Sequence, residues 1–235
     1  LAPDEHRRVP VTLEQVSPLL IKCIITSEDR QFYRHPGVNP ISIVRAAITN
    51  AREGRVVSGA STISMQLSRL AEPKERTLKS KAMEAFRALQ LEGEFNKKDI
   101  LEMYLNNLPY GGNVVGVGAA AYFYFGKDPL DLSLGEAALL TVIPRAPTGY
   151  DPVKHPDAAK RARDRVLDML AERGVVDEQE AEFAKAEALP KKIRTAPMTA
   201  PQFCQMALNM AQDEIWVRTS LDPRLQQMAD TQLKA

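Results

Sequence analysis

The chain has 235 residues, of which 44% are hydrophobic and 26% charged, and its formal net charge is +1. This composition supports a real hydrophobic core. The near-neutral charge gives no global reason to expect nucleic acid or a polybasic membrane tether. No run of 18 or more apolar residues is present, so the sequence predicts neither a transmembrane helix nor a signal peptide. Cys23 and Cys204 lie in no metal-ligand spacing, and we expect two free thiols rather than one disulfide.

The predicted elements are almost entirely helical, and the first ones are marked by their starting residues. Ser17 as N-cap and Pro18 as first helical residue predict a helix over SPLLIKCIITSED. A second helix is predicted from Pro40 to Gly54. Residues 74–94 predict a long amphipathic helix. Its predicted core stripe consists of Leu78, Ala82, Ala85 and Leu89.

Capping residues and breakers divide the rest of the chain. Asn96 and Asp99 cap a helix over KKDILEMYLNN. A capping box precedes LGEAALLTVI, and another follows the charged helix over 157–173, which ends at Gly174. The two boxes are formed by Ser133 with Glu136 and by Asp177 with Glu180.

Two segments predict loops, and the end of the chain changes character. Residues 108–127 contain five glycines, and residues 144–156 contain four prolines. Beyond residue 189 the sequence reads as a linker, and IWVRTSL is the one convincing strand pattern. We therefore predict a domain over 1–190 and a shorter segment over 191–235.

Three polar clusters could carry chemistry, and each also has an ordinary structural explanation. In the first, SEDRQFYRHPGVNP, Glu28 and Asp29 end an apolar helix. One carboxylate is then expected against the core and the other towards solvent, and apolar surroundings would raise a carboxyl pKa and make a general base. The alternative is a solvated helix end beside Arg30.

The second cluster is SGASTISMQLSRL, residues 58–70. As a helix it has a polar stripe, and the preceding GAS offers N–H groups and hydroxyls to an anionic oxygen. The polar stripe is Thr62, Gln66 and Arg69, and the apolar stripe beside it is Ile63, Leu67 and Leu70. The alternative is an N-capped surface helix.

The third cluster, RTLKSKAMEAFRALQLE, places Arg76, Lys79 and Lys81 before Glu84. Lys81 and Glu84 are i,i+3 neighbours, so simple ion pairing on a solvated face is the alternative. Together the three clusters combine a carboxylate, a polar shelf and a row of cations. That set suits a substrate with a hydroxyl to deprotonate and a phosphate-type leaving group.

In this order the clusters resemble the signature motifs of glycosyltransferase family 51, the peptidoglycan glycosyltransferases. EDRQFYRHPGVNP resembles the first motif, GASTISMQLSR the second and KSKAMEAFRALQLE the third. ILEMYLNNLPYGGNVVGVGAAAYFYFGK and LSLGEAALLTVIPRAPTGYDPVKHP resemble the fourth and fifth. Within the family, the second motif with its Met65 is most similar to that of the class A penicillin-binding protein 1C subtype. The closing VRTSLDPRLQQMADTQL resembles a link to a transpeptidase domain.

The resemblance implies a mainly α, lysozyme-like two-lobed fold acting on lipid II, with a short β-containing linker at its end. Glu28 is then the general base on the acceptor 4-hydroxyl, and Glu84 lies near the donor pyrophosphate or its metal ion. Donor contacts are implied for Ser61, Thr62, Gln66, Arg69, Arg76 and Lys81. Supporting roles are implied for Asp29, Phe32 and His35.

The same resemblance implies cofactors, partners and a location. It admits a divalent metal ion, Mg or Mn, with Glu84 as ligand, and no organic cofactor. Partners are lipid II, the growing glycan strand, the membrane surface, a transpeptidase domain and other cell-wall synthesis proteins, with no nucleic acid. The expected location is the periplasmic face of the cytoplasmic membrane, anchored by an N-terminal helix outside this chain.

Three residues depart from the family motifs, and two other functions are compatible with the sequence. Asn39 replaces a common aspartate, Ser80 a common arginine and Met83 a lysine of some members. The last two remove cations near the pyrophosphate, which weakens the expected hold on the donor but leaves the identity of the base unchanged. A lytic transglycosylase on the same fold is one alternative, although it has little use for the cations Arg69, Arg76 and Lys81. A catalytically weak glycan-binding module is the other.

Overall fold

Helices dominate the structure, which confirms the mainly α fold class. A computed structural model describes residues 6–53, 60–75, 77–194, 200–210 and 220–233. The chain forms two compact units, Leu1–Arg194 and Thr195–Ala235. The helices of the first unit are α1 (Pro18–Glu28), α2 (Pro40–Glu53), α3 (Ile63–Ala71), α4 (Leu78–Glu94), α5 (Lys97–Asn107), α6 (Val117–Ala120), α7 (Leu134–Val142), α8 (Pro156–Glu172) and α9 (Glu178–Ala186).

Most helices begin where their capping residues predict. The hydroxyl of Ser17 accepts from the backbone N–H of Leu19 at the start of α1. The Asn96 side chain accepts from two N–H groups of α5, and both predicted capping boxes are present at α7 and α9. These side chains satisfy N–H groups that the first helical turn leaves unpaired.

Helix α7 lies at the centre of the first unit, and most of its residues are buried. It packs against α1, α8 and α9, while α3 packs against α4 and α5. Leu139, Leu140 and Val142 are at most 1% exposed. Burying large aliphatic side chains is the main stabilisation available to such a bundle, at about 1.5–3 kcal/mol each.

The predicted stripe of α4 is wrong. Ala82 and Leu89 are exposed, whereas Ala88 is fully buried. The reason is a close backbone approach: a Cβ placed on Gly37 would lie 2.7 Å from the carbonyl oxygen of Ala88. A small residue must face that contact, so the helix turns its larger apolar side chains, including Phe86, outward.

The glycine-rich segment 108–127 is only partly a loop. It contains the strand β2 (Val114–Val115), then α6, which continues into a π-helical turn over Ala121–Phe125. Residues 114–121 are buried. The apolar character of this segment therefore reflects core packing over those residues.

An amino-terminal strap crosses the surface of α5. Strand β1 (Arg7–Arg8) pairs in parallel with β2. The Asn106 side chain bonds the backbone of Val11 twice, accepting from its N–H at 2.9 Å and donating to its carbonyl at 2.8 Å. The carboxylate of Glu102 accepts from the N–H of Leu13 at 2.8 Å. These contacts fix the first residues of the described chain to the helix that also carries Tyr104.

The second unit contributes two described helices, α10 (Pro201–Met210) and α11 (Pro223–Leu233). The strand predicted over IWVRTSL lies largely outside the described residues, as does the predicted helix end at Gly54. Across the described ranges, no helix combines the length and apolar character needed to cross a bilayer.

Cys23 is expected to be unreactive in the folded protein. Its thiol is fully buried in α1, and burial raises its pKa to about 12. In a Cys204→Ser background at pH 8, a thiol reagent should label Cys23 at least about 100-fold more slowly than in denaturant. Fast labelling of that folded variant would contradict the buried placement.

The same burial predicts a pH effect on stability. The folded thiol holds its proton more tightly than the unfolded one, whose pKa is near the ordinary value of 9.0. The contribution of Cys23 to the free energy of unfolding is therefore fully present below about pH 9 and is lost as the pH rises towards 12.

Candidate active site

A cleft of about 1360 Å³ opens in the first unit, at the end of α1. Its walls come from the segment after α1, the start of α2, helix α3 and the proline-rich segment after α7. Six arginines line it: Arg30, Arg34, Arg45, Arg69, Arg145 and Arg173. Among the described residues, the carboxylates that line it are Glu28 and Asp29. The cleft is therefore suited to an anionic ligand.

Glu28 is the last residue of α1, and its carboxylate is held between two donors. Its Oε1 accepts from Nε of Arg145 at 2.7 Å, and its Oε2 accepts from Nε2 of Gln66 at 3.0 Å. The proline-rich segment after α7 thus brings a guanidinium to this carboxylate. Each carboxylate oxygen keeps a further lone pair, so the group can still accept a substrate proton.

Asp29 is the carboxylate that faces the core. It is 7% exposed, and both its oxygens lie 3.0 Å from Nε2 of His35. Its Oδ2 also accepts from the backbone N–H of Ile63 at 3.1 Å. Asp29 thus joins the end of α1 to the start of α3, which sets the distance between Glu28 and the polar side chains of α3.

Helix α3 carries the predicted polar and apolar stripes. Thr62 is its N-cap and is buried; its hydroxyl accepts from the N–H of Met65 and donates to the carbonyl of Gly37. Gln66 and Arg69 are half-buried and line the cleft. Ile63 and Leu67 are buried behind them, and Leu70 is half-buried at the cleft wall.

The cations predicted to contact the donor are only partly brought together. Nη1 of Arg69 lies 3.7 Å from the Glu84 carboxylate, which links α3 to α4. Lys81 is exposed on α4 and does not line the cleft, whereas Ser61 does. Arg76 lies outside the described residues. The ion pair that the structure gives Glu84 is thus with Arg69 rather than with its helix neighbour Lys81.

Phe32 lies beneath the site and is fully buried. The ammonium of Lys97 stands 4.5 Å from the centre of its ring, a cation–π contact that fastens α5 to this turn. The same ammonium pairs with Glu92 at 2.6 Å.

Two of the three motif departures have structural roles. Asn39 is buried, accepts from the N–H of Ser42 and donates to Oε1 of Gln31 at 2.8 Å. Asparagine and aspartate cap helices about equally well, so this replacement keeps the start of α2. Ser80 lies in the first turn of α4, where its hydroxyl contacts that of Thr77. Nothing in the structure explains Met83, which is 40% exposed.

The sequence interpretation missed Arg145 and Tyr104. Arg145 is the cation of the segment PRAP and contacts Glu28 across 117 positions of sequence, a distance that no local pattern reveals. Tyr104 lies on α5, only 3% exposed, and its hydroxyl donates to Oε1 of Gln66 at 3.0 Å. A tyrosine between the apolar Leu101 and Leu105 was the available signal, because a buried phenol needs a partner.

Burial raises the pKa of the Tyr104 phenol, and the nearby charge of Glu28 acts in the same direction. The phenol therefore stays protonated and remains a hydrogen-bond donor throughout the neutral range. Within the described part of the chain, no group of three or more His, Cys, Asp or Glu side chains could hold a metal ion.

The profile of a protein family described as Transglycosylase matches residues 2–171 of the chain. The chain belongs to this family. The resemblance of the motifs is thereby confirmed, as is the assignment as a peptidoglycan glycosyltransferase domain.

Three relatives illustrate how this transglycosylase domain compares with known proteins. It is 42% identical to penicillin-binding protein 1C of Escherichia coli, over 93% of the chain and 28% of that protein. It is 39% identical to penicillin-binding protein 1A of Aquifex aeolicus, over 90% of the chain and 29% of that protein. The crystal structure of penicillin-binding protein 1A from Haemophilus influenzae shares its fold, with a TM-score of 0.50 at 22% identity, covering 89% of the chain and 22% of that structure. The domain thus spans less than a third of these relatives.

Proposed function

We propose that this domain polymerises lipid II into glycan strands by inverting transfer, with Glu28 as the general base. The observation that carries the proposal is the Glu28 carboxylate, which is held by Gln66 and Arg145 inside a cleft lined by six arginines. An ionised carboxylate satisfies both of these donors. It also stays within reach of a hydroxyl that enters the cleft.

The reaction assigns each proton and electron pair to a group. The acceptor 4-hydroxyl gives its proton to Glu28 while its oxygen bonds to the anomeric carbon of the donor. The bond from that carbon to the phosphate oxygen breaks, and its electron pair leaves with undecaprenyl pyrophosphate. The acceptor hydroxyl stands where water stands in an inverting glycosidase, so the configuration at the carbon is inverted.

The arginines support departure of the pyrophosphate. This leaving group is already stable as an anion, so a protonated acid is dispensable and positive charge matters more. Arg69 lies on the α3 wall of the cleft, and guanidinium groups bind phosphate oxygens in a bidentate manner. We assign Ser61, Gln66 and Arg69 to the donor side, and extend that assignment to Arg76 and Lys81 from their motif positions.

One carboxylate next to the cleft, that of Glu84, could contribute to holding a divalent metal ion. In phosphate sites Mg²⁺ is commonly held by one or two carboxylates together with substrate oxygens and water. Glu84 offers one such carboxylate, 16% exposed and beside Arg69. When bound, Mg or Mn would share the negative charge of the pyrophosphate.

We further propose the setting implied by the relatives. The domain would belong to a longer class A penicillin-binding protein with a transpeptidase domain, anchored at the periplasmic face of the cytoplasmic membrane. Lipid II and the growing strand would reach the cleft from the membrane surface, and other cell-wall synthesis proteins would act with it.

Incubation of the domain with purified lipid II, and separately with finished peptidoglycan, tests the function. We expect glycan polymer from lipid II, blocked by the glycosyltransferase inhibitor moenomycin, and no fragments from finished peptidoglycan. Release of short fragments would instead establish a lytic transglycosylase. Binding of glycan without turnover of either substrate would establish a structural module.

A further inference from the structure

We propose that Tyr104 is a positioning residue for the general base, acting through Gln66; this rests on the proposed role of Glu28. Three helices contribute one side chain each to a chain of two hydrogen bonds. The Tyr104 hydroxyl on α5 lies 3.0 Å from Oε1 of Gln66 on α3, and Nε2 of Gln66 lies 3.0 Å from Oε2 of Glu28 at the end of α1.

The direction of these two hydrogen bonds follows from which groups can donate. A carboxylate can only accept, so the Gln66 amide must turn its NH₂ towards Glu28 and its oxygen towards Tyr104. That oxygen needs a donor, and the phenol supplies one. The reversed amide would set two acceptors, the Gln66 oxygen and the Glu28 carboxylate, against each other.

Burial makes this direction permanent. Tyr104 is 3% exposed, and burial raises the pKa of its phenol, so the hydroxyl keeps its proton wherever the enzyme works. Because the Tyr104 phenol always donates, it holds the Gln66 amide in one orientation. The amide in turn holds Oε2 of Glu28 in place. Gln66 thereby acquires a second role besides lining the donor side of the cleft.

The other oxygen of Glu28 is held by Arg145, whose Nη2 also donates to the Ser27 hydroxyl at 3.0 Å. Arg145 is largely exposed at the cleft wall, with 42% of its side chain accessible. The part-buried contact from Gln66, which Tyr104 supports from the core, is therefore the one that keeps the carboxylate oriented when substrate enters and competes for the guanidinium. Misplacement of a catalytic group by a fraction of an ångström lowers the rate more than it lowers binding.

The first test removes only the phenolic oxygen. In Tyr104→Phe we expect kcat for lipid II polymerisation to fall about 10-fold while KM changes less than twofold. Tyr124→Phe is the matched control, because its buried hydroxyl donates to the backbone carbonyl of Tyr110 at 2.7 Å and does not line the cleft. An equal fall in kcat for both variants, or a change in KM alone for Tyr104→Phe, would overturn the proposal.

The second test places a second carboxylate between Tyr104 and Glu28. In Gln66→Glu the new group can still accept from Tyr104 but stands against Glu28, so the pair should share a proton. We expect the acid limb of the kcat/KM profile to move up by at least half a pH unit. An unmoved limb in an active, folded variant would show that residue 66 does not contact the base.

An NMR titration of the Glu28 carboxyl separates this inference from the proposed function. The carboxyl signal is assigned by its disappearance in Glu28→Gln. Its midpoint should rise in Gln66→Glu whether or not the protein polymerises lipid II. An inactive wild-type domain would therefore refute the function, while an unchanged midpoint would refute the contact between residues 66 and 28.

Discussion

The Glu28→Gln variant should lose at least about 100-fold of the glycan polymerisation rate while keeping its fold. A positioned general base contributes roughly 10²–10⁴-fold, and an amide cannot take the acceptor proton. The substitution preserves the shape of the side chain. Because Glu28 lies in the cleft rather than in the core, the melting temperature should change little. Initial rates with lipid II and a thermal melt of each protein provide the two measurements.

The matched control for this variant is Glu94→Gln, the same chemical change on an exposed residue at the end of α4. It should keep the wild-type rate. If Glu28→Gln retains more than about a tenth of that rate, a loss under ~1.4 kcal/mol, then Glu28 is not the base.

Replacement of the neighbouring carboxylate should instead damage the fold. In Asp29→Ala the N–H of Ile63 and Nε2 of His35 lose a buried partner. Each unpaired buried group costs about 1–3 kcal/mol, so we expect a loss of about 3 kcal/mol in unfolding free energy. For a unit of this size that corresponds to a fall in melting temperature of roughly 6–12 °C.

Two comparisons make the stability result specific. Asp29→Asn should lose less, because its amide oxygen can still accept from Ile63. Asp157→Ala removes an exposed carboxylate from the first turn of α8 and should cost under about 1 kcal/mol. A melting temperature of Asp29→Ala equal to that of Asp157→Ala would contradict the linking role given to Asp29.

Helix starts were predictable because capping is local. The Ser133 box, the Asp177 box and Ser17 each act within a few residues, so the sequence contains the whole interaction. Which face of a helix becomes buried depends instead on distant partners. The tight contact between Gly37 and Ala88 decided that for α4, and no periodicity within α4 could reveal it.

The candidate site likewise contains residues that the sequence identifies and residues that it does not. Its motif residues Glu28 and Gln66 were identifiable, and the structure brings them together. Tyr104 and Arg145 were not identified, because their roles arise only when α5 and the proline-rich segment fold against α1 and α3.

The long separation between Glu28 and Arg145 has a consequence for biosynthesis. The two residues are 117 positions apart, and ribosomes add about 5–20 residues per second, so Arg145 is made roughly 6–23 s after Glu28. During that interval α1 already ends in a carboxylate that has no guanidinium partner. The proposed active site, with Glu28 paired to Arg145, therefore cannot form on the nascent chain until most of the domain has been synthesised, and we expect early fragments of this chain to be inert towards glycans.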